Sequence, residues 1–375
     1  MLSFLLILSL WAFEEQPEYM SPFYRDYQNF EDPSDIDSEY HSDYLTFLLP
    51  FEWQAKWLAQ KNVFDSTTGS LSSKRFMTRY RIKLEQDLDE QTQVHLRFFD
   101  ESDLEREDRH LIFEFQRWNT AGSWGAAIEG ETDTYKEEND LGFAILKRWQ
   151  EDGTIRLFYR MNDFAYNKRN DGTEKYTKEP VATGIVFRRS LNPFEFQELY
   201  FRWESKTTWQ VPDSNQTFAY ERSVLGMQAR RQARGLGYWA LRLHMENKKE
   251  EHTHSSQTQD FQRHLLQVER EWLRWTLGYH MAYRDYDGPI SEEKTFFHLP
   301  YFTYRLSDRS NHWRLGFDTT AYNEDNSDSK IEHRLNLVYR YEFNPKVETL
   351  IFLTFDADRA SQLWEGGNMM FRAEF

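Results

Sequence analysis

Apolar and polar residues alternate with period two over much of the chain. In IEHRLNLVYRYEF, Ile331, His333, Leu335, Leu337, Tyr339, Tyr341 and Phe343 share one side. Glu332, Arg334, Asn336, Val338, Arg340 and Glu342 share the other. TIRLFYRMN (from Thr154), FMTRYRIKLE (from Phe76) and LRWTLGYHMAY (from Leu273) repeat the pattern. Such alternation predicts β-strands with one face in each of two media. The runs are 9 to 13 residues long, against about five or six for strands of soluble domains. Tilted strands that cross a membrane need about 9 to 11.

The punctuation between strands alternates too. Short turns are predicted at 89–91, 119–123, 150–153, 191–193, 234–237, 269–271, 307–310 and 344–346. Longer polar stretches are predicted near 100–109, 131–140, 163–179, 205–216, 246–259, 284–294, 322–330 and 356–367. Short turns on one rim and long loops on the other form the pattern of an up-and-down transmembrane barrel. Counting from Arg75 gives an odd number of strands. Bacterial single-chain barrels have even counts, so a further strand is predicted at FEWQAKWLAQ (51–60), followed by a loop, KNVFDSTTGSLSS. The expected fold is therefore all-β: an antiparallel barrel of about 18 strands. Sixteen is the alternative, if LLQVEREWLRW is one bent strand.

Composition agrees. The chain has 375 residues, no cysteine, 17% aromatic residues and a formal charge of −16, with a mean hydropathy of −0.83. A hydropathy so negative excludes a helical membrane bundle, and the aromatic content argues against disorder. In a barrel the lipid-facing and lumen-facing residues cancel in any window average. Residues 1–12 form a short apolar run ending in Ala12 and read as a secretory signal peptide. Residues 13–49 hold ten acidic residues against one arginine, and read as an acidic periplasmic leader or a lumen plug. The barrel is assigned to 50–375.

The chain ends in NMMFRAEF, with Met369, Phe371, Ala373 and Phe375 on one side. This resembles the C-terminal signature of Gram-negative outer-membrane barrels. The architecture of 51–375 resembles porins and the alginate-export-like channels. The resemblance implies residence in the bacterial outer membrane among lipid and lipopolysaccharide. It also implies recognition of the last strand by the barrel-assembly machinery, passage of small hydrophilic solutes, and a monomer or trimer.

A barrel this wide is not filled by its own side chains, so function is expected on the inward face. If the apolar sides meet lipid, the lumen is lined by Arg79, Arg81, Lys83, Arg97, Arg156, Arg160, Arg202, Arg242, Arg274, Arg314, Arg334 and Arg340. Such a ladder would favour anionic or acidic solutes. The competing reading pairs these arginines with inward carboxylates such as Glu198 and Glu246 as solvated filler. Tyr200 is expected to be lumenal. His252 and His254, in a predicted loop, lack the further ligands of a metal site. The chain contains no GxSxG, phosphate-loop or HExxH motif. No enzyme activity, cofactor or nucleic-acid partner is therefore expected. A non-conducting structural, adhesive or export-partner barrel remains the alternative function.

Overall fold

The computed structural model describes residues 62–375, apart from 73–74, 104–106, 134–138, 150–152, 162–174, 179–180, 193–194, 211–216, 234–236, 253–256, 288–291, 307–309, 325–329 and 359–363. The predicted signal peptide, the acidic segment and the strand expected at 51–60 lie outside the described residues.

Nineteen strands occur among the described residues: β1 (Val63–Ser72), β2 (Arg75–Asp87), β3 (Thr92–Asp103), β4 (Glu107–Trp118), β5 (Trp124–Asp133), β6 (Asn139–Trp149), β7 (Gly153–Met161), β8 (Lys175–Lys178), β9 (Val181–Asn192), β10 (Glu195–Gln210), β11 (Thr217–Gln232), β12 (Tyr238–His252), β13 (Gln257–Glu271), β14 (Trp275–Asp287), β15 (Glu292–Arg305), β16 (Asn311–Glu324), β17 (Lys330–Asn344), β18 (Val347–Asp356) and β19 (Trp364–Glu374). Each pairs antiparallel with its neighbour. The exception is β8, four residues long, which lies against the end of β10 while β7 pairs directly with β9. The wall thus has eighteen strands. It closes where β1 meets β19, from Val63 opposite Glu374 to Ser70 opposite Gly367.

The expected count of eighteen holds, but its first member differs. KNVFDSTTGSLSS was expected to be a loop, and it supplies β1. The closing partner of the last strand therefore begins at Val63, not near Phe51. The alternative of sixteen fails because LLQVEREWLRW is divided between β13 and β14. The turn lies at Trp272–Arg274, not at 269–271, and Trp272 donates to the Trp275 carbonyl at 2.8 Å. Several stretches read as long loops are largely strand. β12 and β13, for example, continue to His252 and from Gln257. The 162–180 connection, which contains β8, is the longest between wall strands.

Local chemistry fixes the turns. At 119–123 the Asn119 side-chain oxygen accepts from the Ser123 and Trp124 amides at 2.9 and 3.2 Å. Gly122 sits at φ +65°, where a glycine is unstrained. At 88–91 the Gln91 amide donates to Asp89 at 2.7 Å. That bond, with others from Thr92, holds the Asp89 carboxyl below the usual carboxylate range.

Large apolar side chains are exposed along the outside of the wall. Leu199, Phe201 and Trp203 on β10 point outward, as do Leu225, Ile145, Leu157 and Leu315 on other strands. Near the rim that carries the short turns stand exposed Trp124, Trp149, Trp239, Trp275 and Trp313, with Phe343 and Phe375. An apolar exterior with an aromatic girdle beside one rim matches a bilayer core and its interface. The chain is a closed β-barrel with the exterior of one that spans a membrane. Leu225 lies near the middle of β11. Leu225→Arg should therefore destabilise the barrel by about 2–4 kcal/mol, measured by urea titration in phospholipid vesicles. An unchanged midpoint would show that this face does not meet lipid.

Candidate functional site: the charged lumen

The interior inverts the usual pattern of burial. On β10 the buried partners of the outward residues are Glu198, Tyr200, Arg202 and Glu204; on β12 they are Arg242, His244, Glu246 and Lys248. Burial here means facing the lumen, so the core of this fold is polar.

Arg81, Lys83, Arg97, Arg156, Arg160, Arg202, Arg242, Arg314, Arg334 and Arg340 all occupy inward register positions. The side chain of Arg79 lies outside the described residues. Arg274 does not line the wall. It is exposed in the turn between β13 and β14, where its carbonyl accepts the Arg305 amide at 2.7 Å. The charged run 269–271 reads as a turn in the sequence, which puts Leu273 and Arg274 in the following strand; the turn itself lies three residues later. At the C-terminus Met369 and Phe375 are exposed on the outer face, while Met370 and Arg372 are buried within.

The arginines do not form a bare ladder, because carboxylates interleave with them. Arg81 binds Asp65 at 2.8 Å, and Arg372 binds the other oxygen of Asp65 at 3.3 Å. Arg372 also approaches Glu348 at 3.9 Å, and Arg340 binds Glu348 at 2.5 Å. This row of charges crosses the closing seam. A second row joins Arg202 to Glu204 (2.6 Å), and Glu246 to both Arg222 (2.7 Å) and Arg263 (2.6 Å). Arg156 bridges Glu114, at 2.8 Å, and Glu129. Arg230 grips Glu271 through two nitrogens, at 2.8 and 2.5 Å. Asp65, Glu114, Glu129, Glu269, Glu271 and Glu348 were not identified from sequence. Their signal is strand parity: each shares the inward side with the arginines of a neighbouring strand. It can be read only once register is known.

Polar hydrogen bonds extend the circuit. Glu198 takes Arg188 at 2.5 Å and Gln228 at 2.9 Å, and Gln228 accepts from Arg242 at 3.2 Å. Tyr200, as expected, faces inward, with its hydroxyl 2.7 Å from His244 Nδ1. Its ring covers Gly226 so closely that a Cβ there would overlap it. The Tyr301 hydroxyl donates to Glu269 and lies 3.2 Å from His280 Nε2, while Arg314 stacks on its ring at 4.5 Å. His280 is fully buried.

Burial is uneven around the wall. Several inward groups from β11 to β19 are almost closed to solvent: Arg230, Arg314, Leu299 and Met370 are each exposed by 2% or less, although Glu342 on β17 reaches 25%. On β2 and β3 they are open. Lys83 is 28% exposed, Arg97 is exposed, and across from them Arg188 on β9 is 54% exposed. Solvent-reaching charge in the lumen is therefore concentrated beside β2, β3 and β9. Among the described residues, no cluster of metal-binding side chains occurs.

The closed pairs define a stability test. Breaking a buried pair strands one charge at a cost of about 3–5 kcal/mol, whereas replacing both members by apolar residues is often neutral. Glu271→Ala should lower the denaturation midpoint strongly, and Arg230→Met with Glu271→Leu should restore most of it. An equal loss in the double variant would mean that the pair itself, not the stranded charge, matters.

No protein-family profile matches the chain, and no curated protein matches it. Among solved structures, OccK10 (OpdN) of Pseudomonas aeruginosa is similar at 9% identity, covering 84% of this chain and 98% of that one, with a TM-score of 0.48. OccK2 (OpdF) of Pseudomonas aeruginosa in complex with glucuronate is similar at 8% identity, over 83% and 96% of the two chains, with a TM-score of 0.44. A bacterial polysaccharide outer membrane secretin is similar at 11% identity, over 84% and 97%, with a TM-score of 0.38.

Proposed function

We propose that the barrel is a passive outer-membrane channel for small hydrophilic solutes, with a preference for anionic or acidic ones. The observation that carries this reading is the unequal exposure of inward charge. Carboxylates such as Glu198 are buried behind their arginines, with 1% of the side chain exposed, while Arg188 in the same pair is 54% exposed. A solute passing β2, β3 and β9 would meet guanidinium and ammonium groups first. Fixed cations in a narrow, partly dehydrated path attract anions and repel cations. Reversal potentials in planar bilayers under a potassium chloride gradient test this, and the expected sign is that of an anion-preferring pore. A clear cation preference would overturn it.

A second reading has its own support. The near-complete burial of His280, Gln267 and Leu299 suits an occluded barrel with a structural or export-partner role. In the same bilayers such a barrel would be silent. The acidic segment 13–49 would suit occlusion: ten carboxylates and one arginine complement a wall that presents cations. Deleting residues 13–45 should then raise single-channel conductance. Equal conductance in the shortened chain would remove the plug from consideration.

A further inference from the structure

Like charges directly opposite one another on neighbouring strands repel, and at two places on the inner wall an opposite charge bridges such a pair. Glu114 faces Glu129, and Arg156 binds both. Glu342 faces Glu348, and Arg340 binds both. Lys83 on β2 and Arg97 on β3 are also direct partners, both inward. Glu85 binds Lys83 at 2.9 Å. Arg97, however, has no ion-pair partner among the described residues.

The surroundings of this pair are open. Arg97 is exposed to the lumen. Arg188 comes from β9, with β3 to β7 between it and β2, yet lies close enough to act electrostatically on Lys83. Its own carboxylate, Glu198, sits behind it, leaving the far side of the guanidinium facing solvent. His95, two residues from Arg97, has its Nδ1 3.8 Å from Glu85. Its Nε2 is buried and without a hydrogen-bond partner among the described residues. A buried polar atom left unmatched in an otherwise paired wall calls for a partner.

We propose that Lys83, Arg97 and Arg188 form a binding site for a small carboxylate anion, which occupies the place that Arg156 and Arg340 hold, with the opposite sign, at the other two pairs. The carboxylate bridges the two cations of β2 and β3. Arg97 supplies the planar donor fork suited to it, and Arg188 closes the site from the other wall. A dicarboxylate engages both walls at once. The proposal rests on the channel reading above and gives it a specific seat; lumenal cations alone require no such seat.

The test is succinate binding to the purified full-length protein in detergent micelles, by titration calorimetry, with bilayer selectivity measured separately. Wild type should bind succinate. Arg97→Ala should weaken binding about tenfold or more, as loss of one charge-assisted contact implies. Arg97→Lys should restore part of it. Arg231→Gln, at an exposed outward position near the rim, should bind as wild type does. Because Arg97→Ala removes a like-charge opposition, its denaturation midpoint without ligand should equal or exceed that of wild type. Added succinate should raise the wild-type midpoint and not that of the variant. Absence of binding by wild type, or equal affinity in Arg97→Ala, overturns the site even if the channel prefers anions. A cation-selective pore that still binds succinate overturns the channel reading and leaves the site standing.

Discussion

A sheet immersed in lipid cannot leave an edge, because each unpaired amide or carbonyl in hydrocarbon costs several kcal/mol. Here everything hangs on the seam where β1 meets β19, from Val63 opposite Glu374 to Ser70 opposite Gly367. The seam is fastened from inside as well. Arg81, Asp65, Arg372, Glu348 and Arg340 form one row of ion pairs running from β2 through β1 and β19 to β17. Asp65 binds an arginine on each side of the first strand, so that strand is held by charge as well as by its ladder. Closure then dictates the rest. Side chains on alternate positions meet lipid or lumen, and no residue can change sides without a shift of register.

Confinement decides how the lumen treats its charges. An arginine facing bulk water needs no partner, but Arg230 and Arg314 are nearly closed to solvent. Desolvated ions are tolerable only when paired and hydrogen bonded. For Arg230 the wall supplies the carboxylate of Glu271, while Arg314 lies over the ring of Tyr301. Where an aromatic ring must fit among these groups, the backbone makes room. Tyr200 lies over Gly226, and Tyr301 over Gly278. Both tyrosines then spend their hydroxyls on neighbours, His244 for one, Glu269 and His280 for the other.

Much of this was legible from period two alone, but only where the two faces meet different media. β17 reads correctly along its length, from Ile331 outward to Phe343, because Leu335, Leu337 and Tyr339 meet lipid while Asn336, Val338 and Arg340 do not. β1 was missed for the same physical reason in reverse. Its outward residues include Phe64, Ser66 and Thr68, so hydroxyls replace much of the apolar stripe and no alternation is visible. The far ends of β12 and β13 read as loop because toward that rim the outward positions turn polar, as at Lys249 and Gln262, and the apolar stripe ends. Glu269 and Glu271 resembled a turn because they are charged. They belong to a strand because Tyr301 and Arg230 wait for them across the sheet. Pairing of that kind is a property of register, which no single strand discloses.

The formal charge of −16 suggests at first that anions should be repelled. Net charge sets the far field, which salt screens within about 10 Å at 0.1 M. A solute inside the barrel is already within that distance of the wall and feels local groups only. Matched pairs such as Arg230 with Glu271 present a short dipole whose field fades within a few ångströms. A charge whose partner lies behind it, as Glu198 lies behind Arg188, acts on the lumen nearly at full strength. In the channel reading, then, selectivity is governed by which member of each pair faces the solute, and the total of charges along the chain has little bearing on it.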